Sequence, residues 1–379
     1  MNNLPLANAH AGQRFGIEEE YFLTDLRSRR MVAKPTARVL DACREAIGEG
    51  FAYELLQGQI EVASPIFDCA DQAAAYLSRV RRDLNQTLAE HGLGVISSGS
   101  HPLAEWRAQR ITVQSHYQQL LGEYEIVARR SVLCGLHVHA EIPAGIDRIA
   151  VMNEILPWFP MLLALSVSSP FWQGQLTGYF SYRQVACDEW PRMGIPEYLP
   201  DDQAFEHYLA ILNQTRAAGR DVDVWWGCRP SQHYPTLELR ITDACPRWID
   251  ALMLARLYRV MVKHACLLPA PGSHYRPEHH WMLKENRIQA RRWGPYGRFV
   301  LLPDTTPMSL EQWLDRAEHT FSATARALGE EGVFAQARHI LRVGTSAERQ
   351  VRCFDSSHAS ALARRQAVVD LLLEESSAG

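Results

Sequence analysis

Lysine is scarce in this 379-residue chain, which has only Lys34, Lys263 and Lys284 among 39 basic residues. No lysine stands between a glycine and a serine or threonine, so the chain has no Walker A phosphate-binding loop. Residues 92–94 (GLG) open like a dinucleotide-binding loop but lack its third glycine. Nucleotide binding through either of these two loops is therefore excluded.

The chain also lacks the marks of a secreted, membrane or nucleic-acid-binding protein. Its eight cysteines form no Cys-x-x-Cys pair, and no apolar signal core precedes residue 16. The most apolar stretch, residues 155–167, contains two prolines and is too short to cross a bilayer. The net charge of -4 provides no basic field for nucleic acid. We therefore predict a cytoplasmic protein with reduced thiols and with neither membrane nor nucleic-acid partners.

Length and composition predict one large catalytic unit. Hydrophobic residues make up 47% of the chain and charged residues 22%, as in soluble globular proteins. We predict a single catalytic domain over residues 10–379, in which residues 309–375 form a C-terminal helical segment packed on the rest. Several strand-like segments alternate polar and apolar residues, without a regular succession of strand and helix. This pattern predicts an α+β fold whose antiparallel sheet has one face open to a site and the other covered by helices.

The first predicted strand, residues 14–23, contains three consecutive acidic residues. Side chains alternate between the two faces of a strand, so Glu18 and Glu20 share one face about 7 Å apart while Glu19 lies on the other. Two carboxylates on one face repel each other unless a cation lies between them. A metal site is one interpretation of this pair, and a solvated edge strand is the alternative.

The second strand-like segment, residues 53–63, adds Glu54 and Glu61. Glu61 stands between Ile60 and Val62, where a buried strand normally excludes charge. A metal ion would account for this carboxylate, and a salt bridge to one of the many arginines is the alternative.

Two later strands present a pair of histidines and an acid beside an arginine. His137 and His139 share one face, where they can ligate a metal, contact phosphate or form hydrogen bonds within the sheet. Glu238 and Arg240 also share a face, which suits a metal beside a phosphoryl oxygen or a plain cross-strand ion pair. Four such strands in one sheet would bring these groups into one basin. That basin has the composition of a site for two or three Mg²⁺ ions and a nucleoside triphosphate.

Eight short segments occur in an order that is typical of one protein family. They are GIEEE (16–20), QGQIEVASP (57–65), GLHVH (135–139), YR (182–183), PRMGIP (191–196), ELRITD (238–243), ENR (285–287) and RWG (292–294). The set resembles the bacterial carboxylate–amine ligases of the glutamate–cysteine ligase type 2 family. The resemblance covers residues 15–294, whereas the C-terminal helices are less diagnostic.

This resemblance implies a glutamine-synthetase-like catalytic fold, with a curved, mainly antiparallel sheet and helices on its outer face. It implies a homodimeric, ATP-dependent ligase that joins glutamate, or a similar carboxylate, to an amine such as cysteine through an acyl phosphate. The cofactors that it implies are ATP and Mg²⁺. The acceptor amine stays open, because many members of this branch have no settled substrate. The metal-binding acids of the family carry over to Glu18, Glu20, Glu54, Glu61 and Glu238.

The same resemblance assigns roles to the basic residues of the basin. Arg240 would stabilise the charge on the transferring phosphoryl group, a role worth about 10³-fold or more in rate. His137 or His139 would ligate a metal ion or bind phosphate.

Further candidates lie outside the four strands. Arg183 and Arg192 belong to a long irregular stretch, residues 168–199, and would bind substrate carboxylates or phosphates, because arginine grips carboxylates with two hydrogen bonds. The alternative for both is a loop-anchoring ion pair. Asn286 and Arg292 are candidates for cofactor binding.

Two other functions remain open at this point. A metal-dependent hydrolase would also use a cluster of acids and histidines, to activate water. Arginines beside the acids favour a triphosphate over simple hydrolysis. A non-catalytic nucleotide-binding homologue is the second alternative, although every candidate acid is present in the chain.

Overall fold

The computed structural model describes residues 12–215, 222–356 and 360–378, so residues 10, 11, 216–221, 357–359 and 379 of the predicted domain lie outside the described residues. Seven strands of the described chain form one antiparallel sheet. They are β1 (Phe15–Asp25), β2 (Phe51–Tyr53), β3 (Gln59–Ala63), β4 (Leu93–Ile96), β5 (Leu136–Glu141), β10 (Cys228–Pro230) and β11 (Thr236–Leu239). Two short pairs lie outside this sheet: antiparallel β6 (Phe171–Trp172) with β7 (Gln175–Leu176), and parallel β8 (Met193–Gly194) with β9 (Trp225–Trp226).

Helices surround the sheet and make up the rest of the regular structure. In chain order they are α1 (Ala37–Ile47), α2 (Ala70–Ala89), α3 (Ser115–Arg129), α4 (Arg148–Ile155), α5 (Phe159–Ser166), α6 (Arg183–Ala186), α7 (Asp202–Gln214), α8 (Trp248–Leu267), α9 (Pro277–Trp293), α10 (Leu310–Ala327), α11 (Val333–Val343), α12 (Ser346–Ser356) and α13 (Ala361–Ser377). The predicted α+β class and the antiparallel sheet are both confirmed.

Strand β1 lies at the centre of the sheet, whose order is β10-β11-β5-β1-β3-β2, with β4 paired to the far end of β1. Strand β5 pairs with residues 15–19 of β1, and β3 pairs with residues 18–22. The acidic segment therefore has strand partners on both edges. The solvated edge strand considered as an alternative is wrong, because no edge of this segment is left open to water.

The second acidic segment forms a hairpin rather than one strand. Residues 53–63 are divided between β2 and β3, and the turn between them contains Gly58. A β-carbon on Gly58 would lie 1.9 Å from the carbonyl oxygen of Val32, so only glycine allows this close approach. The turn brings Glu54 back towards Glu61, which a continuous strand would have kept apart.

The outer face of the sheet is covered mainly by α2 and α8. The apolar residues of α2 recur at helical spacing and form a stripe that is buried throughout. The stripe consists of Ala73, Leu77, Val80, Leu84 and Leu88. Ile17 and Tyr21 of β1 point into this core, so the same strand presents its intervening side chains to the opposite face.

A buried ion pair joins α2 to the strand that carries the acids. Arg81, with 0% exposure, donates to both carboxylate oxygens of Glu19 and to the carbonyl oxygens of Cys245 and Pro246. The hydroxyl of Tyr21 donates to Glu19 at 2.5 Å. These bonds satisfy both charges and fix the middle of β1 directly behind Glu18 and Glu20.

We expect Arg81→Met to lower the free energy of unfolding by about 3–5 kcal/mol, because it leaves the Glu19 carboxylate buried without its counter-ion. Urea unfolding followed by circular dichroism measures the change. Arg79→Met on the same helix is the matched control, since Arg79 and Asp83 form an exposed pair at 3.5 Å and the loss should stay below about 1 kcal/mol. Equal losses in the two variants would contradict this account.

The C-terminal helices pack on the rest of the chain. Helices α10 and α11 contact α8, and α13 lies against β4 and α2. Ser376 accepts a hydrogen bond from the backbone N–H of Ser97 at 3.1 Å. Glu375 forms a buried pair with Arg349, at 2.6 Å and 2.9 Å. The last helix is thus attached to the residues that follow β4.

One helical segment, Arg148–Ser166, is long and apolar enough to cross a membrane by length and composition. It consists of α4, a short 3-10 turn at Leu156–Trp158, and α5, so the chain bends near Pro157 and Pro160. Of its apolar window, 89% is buried inside the fold. The segment is therefore part of the interior of the fold.

Candidate active site

The polar groups of four strands form one row across the open face of the sheet. Because neighbouring strands are in register, each acid faces a partner on the next strand. The opposed pairs are Glu20 with Glu61, Glu18 with His137, and Glu238 with His139. A seventh member, Arg229 on β10, stands opposite Glu238.

A cavity of about 380 Å³ lies over this row. Nine of the predicted site residues line it. They are Glu18, Glu20, Glu54, Glu61, His137, His139, Arg183, Glu238 and Arg240. Five carboxylates and three arginines, counting Arg229, thus share one cavity with three imidazoles, counting His233, a combination that suits cations bound together with an anionic ligand.

Two groups of side chains in the cavity have their donor atoms close enough to hold a metal ion. One group is Glu20, Glu61 and His137, and the other is Glu18, His137 and Glu238. In each group the donor atoms lie within 4.8 Å of one another. Carboxylate oxygens are the ligands that Mg²⁺ and Mn²⁺ prefer, and each group supplies two of them.

The acids at one end of the cavity have raised pKa values. Burial raises the pKa of Glu54 to about 7, with a further contribution from Glu20. Burial, followed by repulsion from Glu54, Glu18 and Glu20, raises the pKa of Glu61 well above its ordinary value. Burial also raises the pKa of Glu20, although Arg183 opposes the effect. Carboxylates that are costly to ionise together are the ones that a divalent cation would stabilise most.

At the other end, hydrogen bonds and arginines keep the acids ionised. Burial alone would raise the pKa of Glu18, but hydrogen bonds from His137 at 3.4 Å and His139 at 3.3 Å outweigh it and lower that pKa. Burial and the charge of Arg240 lower the pKa of His137 to about 4, so this imidazole is neutral at pH 7 and free to act as a ligand.

Glu238 lies between two guanidinium groups. Arg240 donates to one of its oxygens and Arg229 donates to the other at 2.7 Å. Burial would raise the pKa of Glu238, but Arg240 and then Arg229 outweigh it and lower that pKa. This ion pair places Glu238 and Arg240 on the same face, as strand alternation predicts, and in it Arg240 donates through Nη1.

Arg229 escaped the sequence-based prediction. Its position follows from the β10–β11 hairpin, in which Arg229 pairs directly with Glu238. The signal in the sequence was a charged residue between Cys228 and Pro230, both of which are buried in the fold. Only the pairing of the two strands shows that it belongs to the site.

Arg183 is placed at the edge of the cavity by the first turn of α6. Its guanidinium donates to the carbonyl oxygens of Thr242 at 3.1 Å and Arg240 at 3.2 Å. A β-carbon on Gly135 would lie 2.4 Å from Nη2 of Arg183 and 2.9 Å from Nε2 of His137. Glycine at position 135 therefore allows the guanidinium, the imidazole and the strand backbone to meet at one point.

Arg192 is not brought into the cavity. Its side chain donates to the carbonyl oxygen of Asp223 at 3.0 Å and to the hydroxyl of Tyr124 at 3.1 Å. It is absent from the residues that line the described cavity. Of the two interpretations given to Arg192, a loop anchor therefore fits better, through hydrogen bonds rather than an ion pair.

Asn286 and Arg292 also lie apart from the described cavity. Both polar ends of the Asn286 amide are bound to the backbone of Val300, at 2.7 Å and 3.0 Å. Arg292 donates to the carbonyl oxygen of Gly178 and stacks over Trp293, 4.3 Å from its ring centre. These contacts join α9 to neighbouring loops, so the short motifs that contain the two residues have a structural role here.

A second cavity of about 340 Å³ adjoins the first. The two share Glu18, His139 and Tyr234. The rest of its lining comes from β1, the residues around the end of β3, the end of β5 and the β10–β11 turn, and it includes the Arg14–Glu141 ion pair. The apolar side chains that reach it are Ala63, Pro65, Ile66 and Pro235, whereas Phe15 and Ile17 border it with their side chains buried in the core. A flat apolar group could occupy this space while a charged extension reached the first cavity.

Fold and site together place carboxylates and guanidinium groups in one cavity on the open face of an antiparallel sheet, a composition that is typical of an enzyme site. The family model described as glutamate-cysteine ligase family 2 matches residues 14–368. The chain therefore belongs to glutamate–cysteine ligase family 2 and is an enzyme of the ligase class. The predicted family is confirmed, and membership favours the ligase over the metal-dependent hydrolase.

Close relatives cover nearly the whole chain. A protein of Pseudomonas fluorescens named "Putative glutamate--cysteine ligase 2" is 63% identical over 366 residues, which are 96% of this chain and 95% of the relative. A protein of the same name from Pseudomonas putida is 44% identical over 357 residues, which are 93% of this chain and 96% of the relative.

Solved structures support the fold at low sequence identity. The glutamate–cysteine ligase of Francisella tularensis, in complex with AMP, has a TM-score of 0.70 at 11% identity and covers 97% of this chain and 90% of its own. A bifunctional glutathione synthetase from Pasteurella multocida has a TM-score of 0.71 at 14% identity, covering 98% of this chain and 53% of its own. The predicted glutamine-synthetase-like ligase fold is confirmed.

Proposed function

We propose that this protein is an ATP-dependent carboxylate–amine ligase that forms an amide, of the γ-glutamylcysteine type, through an acyl phosphate. The observation that carries the proposal is the single cavity in which five carboxylates stand beside Arg183, Arg229 and Arg240. Acids hold the cations that accompany a triphosphate, and arginines bind carboxylate or phosphate groups. A site for water activation alone has no need of three guanidinium groups.

The residues of the cavity fit Mg²⁺ by their chemistry. Glu20, Glu54 and Glu61 are hard oxygen donors whose ionisation is opposed by burial and by one another. Together with Glu18 and Glu238, they are the residues that would hold the ions, with His137 as a further ligand. When bound, Mg²⁺ supplies neutralising charge to the phosphate oxygens.

We place the nucleoside part of ATP in the second cavity. Its apolar lining suits a base, and Glu18 and His139 stand on the boundary with the first cavity. A base bound there would direct its phosphates over the row of acids and towards Arg240. The glutamate–cysteine ligase of Francisella tularensis, a structure with a similar fold, is in complex with AMP, which supports nucleotide use in this family of folds.

The chemistry follows from the inertness of a carboxylate towards an amine. A carboxylate oxygen of the donor attacks the γ-phosphorus of ATP, the bond to the β-phosphate oxygen breaks, and ADP leaves. A neutral amine then attacks the acyl carbon, loses a proton, and displaces phosphate, which carries away the former carboxylate oxygen. Arg183 orients the donor carboxylate, and Arg240, held by Glu238, stabilises the charge on the phosphoryl group in transfer.

The remaining parts of the proposal come from the composition of the chain and from the family resemblance. We place the activity in one catalytic domain of residues 10–379, with residues 309–375 as its C-terminal helical segment. We also propose a cytoplasmic homodimer whose substrates are glutamate, or a similar carboxylate, and an amine such as cysteine. Light scattering of the purified protein tests the dimer, and a particle of one-chain mass would overturn it.

We expect the protein without metal to lose stability as the pH rises. The folded pKa values of Glu20, Glu54 and Glu61 exceed the ordinary value of 4.5, so the unfolded chain releases these protons first. Stability present below about pH 4.5 is then lost as the pH rises through about 7. In chelator, the melting temperature should fall from about pH 6 to about pH 8, and MgATP should raise it by more degrees at the higher pH.

The direct test of the function measures ADP release from ATP with Mg²⁺, glutamate and a panel of amines that includes cysteine. The proposal predicts ADP release that depends on an amine, together with an amide product of matching mass. ATP cleavage at the same rate without any amine would favour a hydrolase. Binding of ATP without turnover for any donor and amine would favour the non-catalytic homologue.

A further inference from the structure

One side of the main cavity is apolar and aromatic. Three elements contribute to it: the first half of α3, the loop before β8, and β9. We define the aromatic wall as Tyr117, Leu120, Trp190, Met193 and Trp225, all of which line the cavity. The wall contains no charged side chain, and none of its members lines the neighbouring apolar cavity in the described chain. The nucleoside proposed above therefore leaves this surface unused.

The rings of the wall are held in place before any ligand arrives. The ring centres of Trp190 and Trp225 are 5.2 Å apart at 69°, and Tyr124 packs against them at 5.2 Å and 5.7 Å. The hydroxyl of Tyr117 donates to the carbonyl oxygen of Tyr53 at 2.5 Å, which fixes the orientation of this ring. Such a rigid surface binds an apolar group with little loss of side-chain entropy.

Helix α3 leaves part of its apolar face uncovered at this place. Ala128 is its one fully buried residue among those described. Tyr117, Leu120 and Tyr124 follow one another at helical spacing, and all three pack against the core while keeping some exposure. A helix whose apolar stripe borders a cavity presents a surface that an apolar ligand can complete.

We propose that the amine substrate carries an apolar group, aromatic or branched aliphatic, which packs against the aromatic wall, and that Trp190 and Trp225 determine this specificity. The inference rests on the ligase function proposed above and names the class of its acceptor. It narrows the acceptor from an amine such as cysteine to amines with an apolar group, because the wall offers no positive group to an α-carboxylate.

The charges in the cavity assign the wall to the amine rather than to the donor. The donor must bring at least one carboxylate to the arginines, and Arg183, Arg229 and Arg240 lie along the charged row. The amine, by contrast, attacks only as the neutral base. An amine needs no guanidinium partner, and the apolar wall lies beside Glu54, Glu61 and Glu20, which raise the pKa of Tyr117 further after burial itself. The two substrates thus meet different halves of the same cavity.

A binding series tests the inference without requiring turnover. The full-length protein, with Mg²⁺, glutamate and a non-hydrolysable ATP analogue, is titrated in a calorimeter with ethanolamine, isopentylamine, phenethylamine and cysteine. We expect phenethylamine and isopentylamine to bind at least about tenfold more tightly than ethanolamine or cysteine. In Trp190→Ala, the ratio of phenethylamine to ethanolamine affinity should fall about tenfold. Trp281→Ala, a change to a tryptophan that is 64% exposed on α9, is the control and should leave the ratio unchanged.

Equal affinity for phenethylamine and ethanolamine, or an unchanged ratio in Trp190→Ala, would overturn the inference. Trp225→Leu gives a second test of the same wall if Trp190→Ala does not fold. The proposed function is judged separately with the wild-type protein, through formation of a hydroxamate from glutamate and hydroxylamine, an acceptor too small to need the wall. Hydroxamate formation with no preference for apolar amines would keep the ligase and reject this acceptor class.

Discussion

Replacing Glu61 with glutamine is expected to reduce turnover to less than about a thousandth while making the metal-free protein more stable. Turnover falls and stability rises because the same carboxylate would serve the metal site but is costly to ionise when no metal is bound. With its partners, Glu61 would neutralise and position the ions that accompany the triphosphate, a contribution of several kcal/mol to the reaction barrier. Without ions, the same carboxylate is buried among Glu54, Glu18 and Glu20, which raise its pKa further after burial itself.

The gain in stability should reach about 1–3 kcal/mol near pH 7, since glutamine removes the cost of keeping this group protonated in the folded state. Urea unfolding in chelator measures it, and steady-state ADP release measures turnover. Glu105→Gln is the control: Glu105 forms an exposed pair with Arg30 at 2.8 Å, and neither quantity should change appreciably. Full activity in Glu61→Gln would remove this residue from the metal site.

The second large effect concerns Arg240, for which Arg240→Met should lower kcat by about 10³-fold or more with a small change in the KM for ATP. A guanidinium that stabilises the transferring phosphoryl group acts mainly in the transition state, so its loss appears in kcat. Glu238 keeps Arg229 at 2.7 Å in this variant, so its carboxylate is not left without a counter-ion and the cavity should persist.

Arg240→Lys separates charge from geometry at the same position. Lysine keeps the positive charge but lacks the fork of donors, so we expect partial recovery of kcat. Arg338→Met is a control, because Arg338 pairs with Asp315 and Glu318 on the surface, and its kcat should equal that of the unmodified protein. An unchanged kcat with a raised KM in Arg240→Met would show that Arg240 contributes to substrate binding only.

Except for Arg183 on α6, the predicted residues that line the cavity lie on a strand or directly beside one. Alternation of faces is a local property, so it placed Glu18 and Glu20 together and separated both from Glu19. The same reasoning placed His137 beside His139. The alternation of side chains along a strand, and so which residues share a face, can be predicted from a single segment, because neither depends on where the segment lies in the fold.

The contacts that escaped prediction depend on pairing between distant segments. Arg229 joins the site only because β10 pairs with β11, and Arg81 meets Glu19 only because α2 lies behind β1. Spacing along α2 gave no sign that one arginine in its polar sequence points into the core. Two buried charged residues that neutralise each other can be recognised as partners only when the positions of both elements are known.

Short motifs outside the sheet were the least informative guide to the site. Arg192, Asn286 and Arg292 belong to segments that match the family, yet their side chains bind loops and backbone groups outside the described cavity. Matching residues can serve the fold as readily as the chemistry, because both functions constrain a family. Only the position of each side chain separates the two.

The central claim is that the donor carboxylate is activated as an acyl phosphate, and the fate of its oxygen atoms tests that claim most directly. Glutamate labelled with ¹⁸O in the carboxylate that reacts is incubated with ATP, Mg²⁺ and an accepted amine, and the inorganic phosphate is analysed by mass spectrometry. The account predicts one ¹⁸O atom in each phosphate released, because phosphate leaves with a former carboxylate oxygen. Unlabelled phosphate, formed at the same rate as the amide, would contradict it.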